Sequence, residues 1–180
     1  ESYQLLELEG FSHHLGNTIV RAVDDVIIES DLQKYLITKY ASNNLTVTEA
    51  KSIILQIRTL PTSDLYESNT TILRWLSDGF ILKREDRNQK DIHIELIDYN
   101  GLESQLASND LDNLLAESKE QYPADCNIYK FVNQLEIVGN EKRIPDGIIY
   151  INGLPLVVFE FKSAIREEAA IHDAFTQLTV

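Results

Sequence analysis

The residues best placed to do chemistry lie in the segment KRIPDGIIYINGLPLVVFEFKSA, residues 142–164. An apolar strand there ends abruptly in Phe-Glu-Phe-Lys. Period-two alternation puts Glu160 and Lys162 on one face and turns Phe159 and Phe161 to the other. A carboxylate at the end of a buried strand is costly unless it is paired or holds a cation, and one lysine offsets only part of that cost. Hard cations such as Mg²⁺ take oxygen ligands. Asp146, Glu160 and the backbone carbonyl of Phe161 would supply a partial shell, with water and a phosphate completing it. Beside it, Lys162 would add a positive charge. An activated water and stabilised charge on phosphate oxygens are what phosphodiester hydrolysis requires.

This chemistry makes a demand on the hairpin that carries it. A two-residue Asn152-Gly153 loop pairs Ile151 with Leu154 and so Asp146 with Phe159, leaving the two carboxylates on opposite faces. A three-residue loop with a bulge at the glycine pairs Ile151 with Pro155 and sets Asp146 opposite Glu160. The sequence reading therefore expects such a bulge, or Asp146 displaced from the ladder. Bland alternatives stand beside it: Glu160 and Lys162 could be an ion pair capping a strand, and Pro-Asp-Gly is a turn signature in its own right.

The elements that must position these residues follow from periodicity. Residues 1–9 read as the end of an amphipathic helix closed by Gly10. Leu32, Tyr35, Leu36 and Tyr40 have helical spacing behind a Ser30 cap. Thr46 and Glu49 form a capping-box pattern ahead of Ile53, Ile54, Ile57 and Leu60, with Pro61 as the stop. A third helix over about 64–77 carries Leu65, Ile72, Leu73, Trp75 and Leu76, and Gly79 ends it. Then the period changes to two, with a hairpin from FILKRE and DIHIELID. Residues 100–126 read as a connector with one short helix near 111–118. Strands resume at 128–138, at GIIYI and at LPLVVFEF, and residues 167–180 return to helical spacing. The expected class is α/β or α+β with a mixed central sheet flanked by helices, as one domain over 1–180: a helical part at about 30–79, and the sheet with its following helix at about 80–180.

Composition limits the function classes. A formal net charge of −13 argues against a free-standing DNA-binding module, since Lys and Arg supply most non-specific affinity for phosphate. If other parts of a larger assembly hold the DNA, the domain needs only metal ligands and a few local cations. The cluster Lys83, Arg84, Arg87 and Lys90 reads more readily as a solvated turn than as a phosphate contact. One cysteine, Cys126, excludes an internal disulfide, and with four scattered histidines it gives no zinc-site spacing. A reducing, cytoplasmic setting is expected. There is no apolar run of membrane-spanning length and no signal-peptide pattern at the start.

Pro145-Asp146 followed by Glu160-Phe161-Lys162 resembles the PD-(D/E)XK nuclease motif. The wider stretch PDGIIYINGLPLVVFEFKSA closely resembles the nuclease region of type I restriction enzyme R subunits. The likeness continues upstream through DVIIESDLQKYL, NTTILRWLSDGF, HIELIDYN and FVNQLEI, covering most of the chain. The resemblance implies a restriction-endonuclease-like core and Mg²⁺-dependent endonucleolytic cleavage of double-stranded DNA. It also implies partner modification (methyltransferase) and specificity subunits, and a longer chain whose motor domains use ATP. No GxxxxGK[ST] phosphate loop occurs within the 180 residues. The family carries a Gln-x-x-x-Tyr motif on the helix after the catalytic strand, and Gln177 matches its first residue. Where the family often has Arg directly before Pro-Asp, Ile144 here separates Arg143 from Pro145. A RecB-like exonuclease or repair nuclease would use the same residues, and an inactive assembly platform could share the fold.

Overall fold

The computed structural model describes residues 2–61, 63–84, 88–100, 126–139 and 141–161. In chain order it contains α1 (Ser2–Leu8), β1 (Ser12–Leu15), α2 (Glu29–Lys39), α3 (Val47–Arg58), α4 (Leu65–Asp78), β2 (Phe80–Leu82) and β3 (Ile92–Ile94). These are followed by β4 (Tyr129–Asn133), β5 (Ile137–Val138), β6 (Lys142–Arg143), β7 (Gly147–Ile151) and β8 (Leu154–Phe159). The expected mixed α+β class is observed. Chain contacts divide it into two compact units, residues 1–28 with 129–180 and residues 29–128.

The first unit holds the sheet, ordered β1-β4-β7-β8. β1 runs parallel to β4, while β4–β7 and β7–β8 are antiparallel, so the sheet is mixed. One face carries Val132, Ile148 and Tyr150, all buried, which pack with Ile28 and Leu135 into a core. Tyr150 Oη donates to the Val26 carbonyl (3.0 Å), and burial pushes its phenol up to about 12. The Ile28 N–H donates to the Gly153 carbonyl at the hairpin tip. Phe131 and Phe159 meet edge to face, with ring centroids 6.0 Å apart. β4 is shorter than the strand expected over 128–138. Gln134 takes a positive φ of 51° and breaks it, after which β5 pairs with β6.

In the second unit α2 packs on α3 through Leu32, Tyr35 and Leu36 on one side and Ala50, Ile53, Ile54 and Ile57 on the other, all buried. The Thr46 capping box is formed in both directions: Glu49 N–H donates to Thr46 Oγ1 (3.2 Å), and Thr46 N–H donates to Glu49 Oε2 (2.8 Å). α2 begins at Glu29, so Ser30 lies inside the helix and not at its cap. Of the expected apolar stripe on α4 only Trp75 is buried, against the ring of Phe80 at 5.0 Å, and Leu65 and Leu73 are each 65% exposed. β2 and β3 form the expected hairpin and, among the described residues, pair with no other strand. The sheet was expected to span about 80–180. Its first strand instead comes from residues 12–15, and the 80–94 hairpin belongs to the helical unit. The short helix expected near 111–118 and the helix expected over 167–180 lie outside the described residues.

Candidate active site at the end of the β7–β8 hairpin

The hairpin turn is the two-residue form, with Ile151 paired to Leu154 and positive φ at both Asn152 (53°) and Gly153 (78°). This corrects the expected three-residue loop with a glycine bulge. Asn-Gly is the pair that most readily takes two successive positive φ values, so the tight turn needs no bulge of its own. The register shifts one step later instead, between Ile149 and Tyr150: Tyr150 pairs with Pro155, but Ile149 pairs with Val157. Leu156 is the extra residue on β8. Beyond it the ladder runs Ile148–Val158 and Gly147–Phe159, and Asp146 and Glu160 are the next residues past its last pair. The displaced bulge thus produces the same offset as the one expected at the glycine.

A hydrogen bond holds that juxtaposition. The backbone N–H of Phe161 donates to Asp146 Oδ2 at 2.6 Å, tying the carboxylate of the β7 entry to the backbone of the β8 exit. Asp146 and Glu160 are both half-buried, whereas the Phe161 side chain is 60% exposed and stacks on Phe159 at a centroid distance of 6.0 Å. Gly147, which follows Asp146, is required by packing. A Cβ there would lie 2.4 Å from Cζ of Phe131, a residue only 3% exposed. The Asp-Gly pair therefore combines a ligand-type side chain with the one residue that lets the Phe131 ring cover the strand.

Glu160 also borders a cleft of about 410 Å³, which Lys142, Arg143, Pro145 and Val158 help to line. Lys142 pairs with Glu136 at 2.7 Å, and Arg143 approaches Glu141 at 3.9 Å. Arg143 is thus brought to the same cleft as Glu160, although Ile144 separates it from Pro145. Lys162 and Gln177 lie outside the described residues. Of the sequence-derived set, then, Asp146, Glu160 and Phe161 are brought together. Among the described residues no group of three or more His, Cys, Asp or Glu side chains converges as a metal cluster.

Arg84, in the basic cluster around the β2–β3 turn, is committed elsewhere. It donates to both carboxylate oxygens of Glu49 (2.7 and 3.0 Å) and to the carbonyls of Asn43 and Asn44, with its side chain only 5% exposed. This pairing holds the Glu49 carboxyl down to about 2, so it stays ionised through the mildly acid range and keeps the clasp closed there. Two residues near the site were missed by sequence reasoning. Asn133 Nδ2 donates to the Asp146 carbonyl at 3.1 Å, and His13 Nε2 lies 2.5 Å from Asn133 Oδ1. Nothing in the sequence marks Asn133. β1 itself, four residues of sequence SHHL, carries no alternation signal.

Comparison with known proteins agrees with the motif. Residues 2–180 match the family described as the type I restriction enzyme R protein N terminus. The chain is 55% identical over 53 residues to the type I restriction enzyme HindI endonuclease subunit of Haemophilus influenzae, covering 28% of this chain and 5% of that protein. It is 25% identical over 109 residues to a putative type I restriction enzyme MjaVIIIP endonuclease subunit of Methanocaldococcus jannaschii, covering 59% of this chain and 8% of that protein. The chain thus corresponds to a small part of the length of either relative. No solved structure gives a significant match. With almost its whole length matched, the chain belongs to the type I restriction enzyme R protein N-terminal family.

Proposed function

We propose that this chain is the nuclease domain of a type I restriction R subunit, a PD-(D/E)XK fold that cuts double-stranded DNA endonucleolytically with Mg²⁺. The observation that carries this reading is the β8 register shift at Leu156, past which Asp146 and Glu160 are the next residues beyond the last ladder pair, with the Asp146 carboxylate held on the Phe161 N–H. The donor set fits the cation. Two carboxylates and the Phe161 carbonyl are all oxygen, and a small set suits Mg²⁺, which keeps several waters and shares its shell with phosphate. Bound there, Mg²⁺ would supply Lewis-acid stabilisation of the phosphate and a more acidic water.

The chain's own residues do the positioning. With Oδ2 of Asp146 fixed by the Phe161 N–H, its other oxygen and remaining lone pairs are left for a cation. Glu160 supplies the second carboxylate from the adjoining strand. Lys162 is assigned the ammonium that offsets charge growing on the phosphate oxygens, and Gln177 the polar contact that orients the substrate. Residues 1–180 serve in this reading as one nuclease domain of a cytoplasmic complex. Motor domains elsewhere in the full R subunit use ATP to deliver DNA, and modification and specificity subunits direct it. The net charge of −13 agrees with DNA being held mainly by other parts. Among the described residues no helix is long and apolar enough to cross a membrane.

The test is the substrate form. The full complex, supplied with ATP and Mg²⁺, is expected to cut covalently closed circular DNA and to stop when the Mg²⁺ is replaced by a metal that supports only ATP turnover. Degradation of linear DNA alone, from its ends, would replace this reading with that of an exonuclease.

A further inference from the structure

We infer that Asn133, itself held by His13, is a positioning residue that fixes the backbone of Asp146 for cation binding; this inference rests on the nuclease reading above. The β4–β7 ladder ends at the pair Asn133–Gly147, so Asp146 stands one residue past the last ladder partner. Its carbonyl is met by a side chain instead: Asn133 Nδ2 donates to it at 3.1 Å. Asn133 is 8% exposed, so this amide acts with little competition from water.

The direction of the network follows from donor and acceptor chemistry. Because the Asn133 amide nitrogen faces a carbonyl, its oxygen must be the group facing His13, and an oxygen there can only accept. His13 therefore presents a protonated Nε2 across the 2.5 Å contact. His13 lies on β1, where its register partner is Phe131 and its ring centroid is 6.1 Å from that of Phe131. Asp146 is thus restrained at two points: its carbonyl by the β1–β4 side-chain network and its carboxylate by the Phe161 N–H. Groups that orient a metal-binding carboxylate typically change metal affinity by about 10- to 100-fold when removed.

The experiment uses the full R subunit in its complex, with Asn133→Asp as the near-isosteric change that removes the donor to Asp146. Two quantities are read: the Mg²⁺ concentration for half-maximal cleavage of circular DNA, and direct Mn²⁺ binding at the step that Asp146→Asn abolishes. Both are expected to weaken by about 10-fold or more at temperatures well below the melting transition, with ATP turnover as in the wild type. His13→Ala should weaken both by a smaller factor, and His13→Gln, which keeps an N–H donor, should restore part of the loss. Unchanged metal dependence in Asn133→Asp would overturn the inference, as would a loss of cleavage that merely follows a lowered melting temperature. If Asn133→Asp fails to fold, His13→Ala decides, and wild-type metal dependence there overturns it. Wild-type cleavage by Asp146→Asn would instead bring down the nuclease reading, and this inference with it.

Discussion

Asp146→Asn in the full R subunit is expected to lower DNA cleavage by about 10³-fold, equivalent to about 4 kcal/mol, with ATP turnover unaffected. The substitution keeps shape and removes charge, but its effect goes beyond charge. The Phe161 N–H points at Oδ2 of Asp146 from 2.6 Å and needs an acceptor. The amide introduced by Asp146→Asn must turn its oxygen there, which directs its NH₂ group to the side a cation would occupy. A donor then replaces a ligand. Initial rates of circular DNA cleavage at saturating Mg²⁺, normalised to ATP turnover, measure the effect. A loss below about tenfold would indicate that the Asp146–Phe161 contact is a strand-end clasp and nothing more.

Gly147→Ala has the second large effect, expected at about 2 kcal/mol of destabilisation together with reduced cleavage. The added Cβ would fall 2.4 Å from Phe131 Cζ and 2.8 Å from Cε2. The Phe131 ring has little room to withdraw, since it is 3% exposed and contacts the rings of His13 and Phe159. Displacing it would pass through Phe159 to the stacked Phe161, whose N–H holds Asp146. Thermal unfolding of the R subunit reads the first part and cleavage the second. Phe131→Leu, by shortening the clashing side chain, should make the added methyl cheaper than it is in the wild-type background. Equal costs in the two backgrounds would show that the clash is not with Phe131.

The parts of this molecule legible in the sequence are those governed by local chemistry. The Thr46–Glu49 capping box and the Asn152-Gly153 turn position each depend on neighbours a few residues away. Alternation at Phe159–Lys162 was enough to suggest a charged strand end, and the requirement that Asp146 face Glu160 was enough to demand an offset in the hairpin. Where that offset falls was not legible, because a bulge at Leu156 or at Gly153 gives the same register beyond it. β1 escaped notice for a different reason: a four-residue strand of sequence SHHL is too short and too polar to carry an alternation signal, and its pairing is with β4, more than 100 residues away. Asn133 reads as an ordinary polar strand residue until β7 is placed against it. The basic residues at 83–90 left the role of Arg84 open, and its use by Glu49 depends on an approach of α3 to the hairpin that no local pattern encodes.

The acidic charge and the candidate cutting site fit together if cutting and DNA holding are separate tasks. Glu160 borders a cleft whose described cations, Lys142 and Arg143, already face Glu136 and Glu141, so among the described residues little positive charge there is left for long stretches of backbone phosphate. On the proposed reading, DNA delivered by a motor would need only the reacting phosphate to be held here. The measurement that tests this most directly is cleavage of covalently closed circular DNA by the full complex with Mg²⁺, wild type against Lys162→Ala, at matched ATP turnover. Loss of cleavage with translocation intact is the expected result. Equal cleavage by the two proteins would contradict it.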